Sequence, residues 1–147
     1  MVDPYEIADE FAKEFAKFEY ALKRGGFLLA KAKDARADRV GLAEALGATF
    51  FEYIETKNIA PTILSHSPRK LMQDGLKWVP ENPAPITTVA ELMEKGVCRI
   101  RSSYLHGEKF IGGPYNAQLG RDAKLVAEAL AVLRAARDRV PSVSALL

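Results

Sequence analysis

Apolar residues recur at Ile7, Phe11, Phe15, Phe18 and Leu22, at steps of four, four, three and four. That spacing lines one face of an α-helix. Asp3-Pro4-Tyr5-Glu6 opens it with a capping side chain, a proline in the first turn and an acid near the free amides. Gly25-Gly26 predicts its end. A second helix is predicted from about Ala35 to Lys57 on Leu42, Leu46, Phe50 and Ile54, with Ala43, Phe51 and Tyr53 widening the face. Gly41 and Gly47 weaken it by up to about 1 kcal/mol each and leave its period intact. The stretch IAPTILSHSPRKLMQDGLKWVPENPAPI then carries five prolines and no clear period. It predicts a long ordered connection over 58–86, with a short helical turn at Lys70–Gly75 and Trp78 as its packing anchor. Thr88-x-x-Glu91 is a capping box for a third helix, whose buried stripe runs Val89, Leu92, Met93, Gly96, Val97, Ile100 and Tyr104. IGGPYN reads as a loop. A fourth helix spans about Gln118 to Arg139, with Val126, Leu130, Leu133, Arg137 and Val140 near heptad spacing and Ala129 and Ala136 between them. Pro141 ends it, and SVSALL reads as a tail.

These elements predict an all-α fold: a four-helix up-and-down bundle with a long proline-rich connection between helices 2 and 3, in one domain over 1–147. With 147 residues, 48% of them hydrophobic, the chain can bury a core without disulfides or metal. Its single cysteine, Cys98, falls on the apolar third helix and reads as an inert buried thiol. The N-terminus lacks the apolar core of a secretory signal, and no apolar run approaches the ~20 residues that cross a bilayer. A cytoplasmic protein with no membrane association is expected. A net charge of +2 does not announce a nucleic-acid partner. The basic stretches Lys23–Arg39 and Arg134–Arg139 read as solvated surface.

The chemistry collects at the end of the third helix, in RIRSSYLHGEKF, Arg99 to Phe110. On an ideal helix Arg99 and His106 differ by about 20°, with Ser102 and Ser103 between them, whereas Arg101 is offset from His106 by about 140°. Periodicity therefore favours Arg99 as the partner of His106. Arg101 converges only if the last turn loosens before Gly107, or across a symmetric dimer. The set suits a phosphodiester: imidazole moves protons near neutral pH, guanidinium holds phosphate oxygens, and hydroxyls add neutral donors. No histidine, cysteine or acid has metal-ligand spacing around His106, and neither a nucleophile elbow nor a P-loop is present. Arginine or histidine before a helix-ending glycine also serves simple capping. His66, in SHSPRK, reads as a surface residue with local hydrogen bonds.

VCRIRSSYLHGEKF resembles the signature of the HEPN superfamily (higher eukaryotes and prokaryotes nucleotide-binding), in which an Arg is followed after four to six residues by His. Arg101-Ser-Ser-Tyr-Leu-His106 has the four-residue spacing, and Gly107, Lys109 and Phe110 extend the likeness. FEYALKRGGF in the first helix is a softer match. The resemblance implies a helical bundle that dimerises with two motifs facing one cleft, and a metal-independent endoribonuclease without cofactor, often a toxin with an antitoxin partner or a host-defence effector. It makes His106 the general acid/base and Arg101 the scissile-phosphate ligand. Arg99, Ser102 and Lys109 are expected to contact RNA. Ser102 stands where active members often carry Asn, Asp or His. Glu108 stands where toxins modified by a nucleotidyltransferase carry Tyr, so control through that tyrosine is not expected. The alternative is an inactive HEPN-like module that binds RNA, a nucleotide or a protein partner.

Overall fold

The computed structural model describes residues 4–73, 77–105 and 119–147. The chain is predominantly helical, as the periodicity predicts. Helix α1 (Pro4–Arg24) buries Phe11, Phe15, Phe18 and Leu22 along its expected stripe. At its end the Phe27 amide closes onto the Leu22 carbonyl at 2.9 Å, a bond that satisfies an orphan helix carbonyl. Residues 28–37 then fold on themselves: Leu28 pairs with Ala37, and the Leu29 amide donates to the Arg36 carbonyl.

Helix α2 (Arg39–Thr56) starts four residues later than expected, because Asp38 caps it through the Gly41 amide. Leu42, Leu46, Phe50 and Ile54 are buried as predicted. The apolar period survives Gly47 as expected, but the glycine does more than weaken the helix. Its backbone sits at φ 69°, ψ −176°, a region open essentially to glycine alone, and the helix is broken there.

The long connection is more structured than its composition suggests. Helix α3 (Pro61–Ser65) buries Ile63 completely. Its first amides are capped from afar: Glu128 Oε1 accepts from Thr62 N at 2.9 Å and Ile63 N at 3.0 Å. Over residues 70–73 the helical turn expected at Lys70–Gly75 is not formed, and 74–76 lie outside the described residues. Strand β1 (Lys70–Met72) instead pairs antiparallel with β2 (Lys77–Val79), Leu71 opposite Trp78. Pairing across a turn outcompetes one isolated helical turn, which fixes several dihedrals for a single hydrogen bond. The Trp78 side chain, and with it the expected anchoring role, lies outside the described residues. The chain returns where the Ile86 amide meets the Leu64 carbonyl at 2.9 Å.

The capping box forms, with Thr88 Oγ1 accepting from the Glu91 amide while Glu91 reaches back to Thr87. It opens helix α4 (Val89–Glu91), which passes without interruption through a π-helical segment (Leu92–Cys98) into α5 (Arg99–Leu105). Helix α3 approaches the π-helical segment closely at Gly96. A Cβ on Gly96 would lie 2.8 Å from Ile63 Cγ2, so only glycine fits. Helix α6 (Leu119–Asp138) buries Val126, Ala129, Leu130, Leu133 and Ala136. The terminal stretch is not a loose tail: α7 (Pro141–Ser144) buries Val143 fully, and Ser142 Oγ donates to the Gly25 carbonyl at 2.7 Å. Proline stops one helix and starts the next.

One hydrophobic cluster joins all these helices, and Ile100 carries α5 into it. Helix α2 runs back along α1, with Glu19 against Arg39 at one end and Ile7 and Tyr53 sharing a groove at the other. Helix α6 runs in the same direction as α1: Glu10 pairs with Arg134, Glu14 with Arg137, and Gly25 meets Ser142. Strict up-and-down succession of four helices would oppose the first and last. The long connection between α2 and α4 lifts that constraint, which short loops impose. No helix among the described residues is long and apolar enough to cross a membrane.

Candidate functional site

The motif is carried by two successive helical segments. The π-helical segment ends at Cys98, and α5 carries Arg99, Arg101 and Ser102 over its two turns. A π-helical turn inside an α-helix is rare and recurs at functional sites. Here it resets the register just before the motif, so straight-helix angles from upstream residues do not carry through.

The two arginines have different surroundings. Arg99 is half-buried, and its Nη1 donates to the Pro68 carbonyl at 3.2 Å, tying the proline-rich connection to α5. Arg101 is exposed, with its guanidinium carbon 4.7 Å from the centre of the Phe15 ring. It pairs with no carboxylate among the described residues. Ser102 is exposed. Ser103 is half-buried and donates to the Arg99 carbonyl at 3.1 Å, a local helix contact. His106, Gly107, Glu108, Lys109 and Phe110 lie outside the described residues, as does the expected loop IGGPYN.

Two residues that sequence spacing could not assign join Arg101. Arg39, the first residue of α2, has its guanidinium carbon 5.8 Å from the same Phe15 ring. It is gripped by Glu19 of α1, whose Oε1 accepts from Nη2 at 2.6 Å and Nε at 3.1 Å. Burial works against the Arg39 charge, but the neighbouring Cys98 sulfur, ionised at the strongly alkaline pH where a guanidinium titrates, and the Glu19 carboxylate outweigh it and hold the guanidinium above its usual range. Tyr20, beside Glu19, is exposed instead under Arg24.

Cys98 lies among Arg39, Glu19, Arg101 and Glu94. Burial pushes its thiol up, against the pull of the two arginines, so it stays protonated at neutral pH. Its protonation agrees with the inert thiol expected from sequence, although Cys98 is half-buried and not buried. His66 is exposed and lies 2.9 Å by Nδ1 from Ser65 Oγ, the local contact expected. It lines a shallow concavity of about 450 Å³ with Arg69, Glu81 and Asn82. Among the described residues no cluster of His, Cys, Asp or Glu could hold a metal ion.

The arrangement can hold an anion. Two guanidinium groups share one aromatic ring, one held by a carboxylate and one turned to solvent. Comparison of the chain with protein-family models, with curated proteins and with solved structures gives no match.

Proposed function

We propose that this chain is a metal-independent endoribonuclease of the HEPN type, acting as a cytoplasmic homodimer and held in check, as a toxin or defence effector, by an antitoxin partner. The four-helix bundle that this reading requires would be made by α1, α2, the continuous α4–α5 helix and α6. One observation carries it: of the two motif arginines, Arg99 is tied to the Pro68 carbonyl, while Arg101 stands exposed at the helix exit. The four-residue spacing selects that same Arg101.

In this reading His106 takes the proton from a ribose 2′-hydroxyl as the 2′-oxygen attacks phosphorus. The P–O5′ bond breaks, and the leaving 5′-oxygen receives a proton from the facing protomer's imidazolium or from water. The products are a 2′,3′-cyclic phosphate and a 5′-hydroxyl. Arg101 offsets the charge that builds on the non-bridging oxygens. Ser102 and Lys109 contact the RNA strand, and Arg99 adds positive potential.

The test incubates the purified protein with labelled RNA in EDTA, beside a copy of the strand with 2′-deoxy sugars. Cleavage is expected to survive chelation and to fail on the deoxy strand. His106→Ala should lower the rate by at least about 100-fold with helical content intact, in line with the loss of a general acid/base. Intact dimers that bind RNA and never cut it would favour the non-catalytic module, for which Ser102 in the usual Asn, Asp or His position speaks.

A further inference from the structure

We propose that Arg39 is a second phosphate-binding arginine of this site, supplied by the start of α2 and set in place by Glu19. The inference rests on reading the α5 exit as an RNA site, and it adds a residue that the motif does not contain. Arg39 and Arg101 are 62 positions apart in sequence and yet flank one ring, at 5.8 Å and 4.7 Å from the Phe15 centroid. Their guanidinium groups are therefore separated by no more than those two distances combined, which suits one phosphate or neighbouring phosphates of one strand.

Phe15 itself is buried, so it is a floor and not a stacking platform for a base. Glu19 is the more buried partner of the ion pair, at 20% side-chain exposure against 44% for Arg39. It takes Nε and Nη2 on a single carboxylate oxygen, which uses one edge of the fork. Nη1 has no hydrogen-bond partner among the described residues, and a planar guanidinium pinned on one edge presents the other in a fixed direction. Cys98 and Glu94 also face this region: the thiol is neutral, while the Glu94 carboxylate opposes an anion and is set against the Arg39 and Arg101 charges.

The test measures binding of a labelled single strand with 2′-deoxy sugars, which cannot be cut, as a function of salt. The double variant Glu19→Gln/Arg39→Gln leaves the net charge unchanged and leaves no carboxylate without a partner. It is expected to bind about tenfold more weakly, with the salt slope reduced by about 0.7, the share of one lost phosphate contact on a single strand. The matched control Asp34→Asn/Arg36→Gln removes an exposed pair nearby and is expected to bind as wild type does. Should the first variant lose its helical signal, Arg39→Lys keeps the charge and the Glu19 partner while removing the fork, and is expected to bind severalfold more weakly. Wild-type affinity and slope in these Arg39 variants, or losses equal to the control, would overturn the proposal, as would a wild-type protein that binds no strand. RNA cleavage that survives with Arg39-independent binding defeats this inference alone. Arg39-dependent binding without any cleavage defeats only the nuclease reading.

Discussion

At the scale of single residues, the surroundings of Cys98 and Gly96 make two expectations concrete. The Cys98 thiol is raised by burial, so at neutral pH its thiolate fraction is below that of a free cysteine. Iodoacetamide should therefore label native protein more slowly than protein unfolded in urea. The native rate should climb only at a pH above that at which the unfolded thiol has already ionised. Mass spectrometry of timed aliquots checks both. Gly96→Ala places a methyl 2.8 Å from Ile63 Cγ2 between α3 and the π-helical segment. Overpacking of this kind costs roughly 1–3 kcal/mol, read as a lower urea midpoint with unchanged slope. The nearest neighbours of the motif were the least legible part of the sequence. Nothing in the spacing of Phe15, Glu19, Arg39 and Arg101 links them, because their meeting depends on how α1, α2 and α5 cross. Periodicity favours Arg99 over Arg101 as the partner of His106, which lies outside the described residues; the structure adds that the Pro68 carbonyl engages the Arg99 side chain, a contact that spacing does not reveal.

At the scale of elements, local signals served well wherever the caps were local. The α1 stripe, the Thr88–Glu91 box and the α6 stripe all appear as their periods predict. Misreadings fall where an element depends on a distant partner. Helix α3 is capped by Glu128, a residue more than sixty positions away, and β1 exists only through β2. Helix α2 is the opposite case, a strong apolar period that hides a backbone break. Gly47→Ala should be destabilising by about 1–3 kcal/mol, since φ 69° with ψ −176° excludes side-chain-bearing residues. An ordinary mid-helix glycine would instead gain stability on the same change. Equilibrium denaturation distinguishes the two signs.

At the scale of the whole molecule, the core and not the surface charges hold the helices together. Phe11 is almost fully buried between elements and packs edge-on against Phe15. Phe11→Ala is expected to cost about 3–5 kcal/mol. Arg134→Gln, which removes an exposed pair with Glu10, should cost no more than about 1 kcal/mol. Thermal melts of the two variants make that comparison. The sequence alone determined which residues face the core and where α1, α4 and α6 begin, because a 3.6-residue period and local start signals act within a few positions. It also marked the RIRSSYLHGEKF stretch as the place where chemistry gathers. Only the tertiary structure decided that α1 and α6 run in the same direction, that Arg99 ties down the connection, and that Arg39 joins Arg101 over Phe15. These depend on side chains that meet across long loops, and sequence distance carries no information about such meetings until the chain has packed.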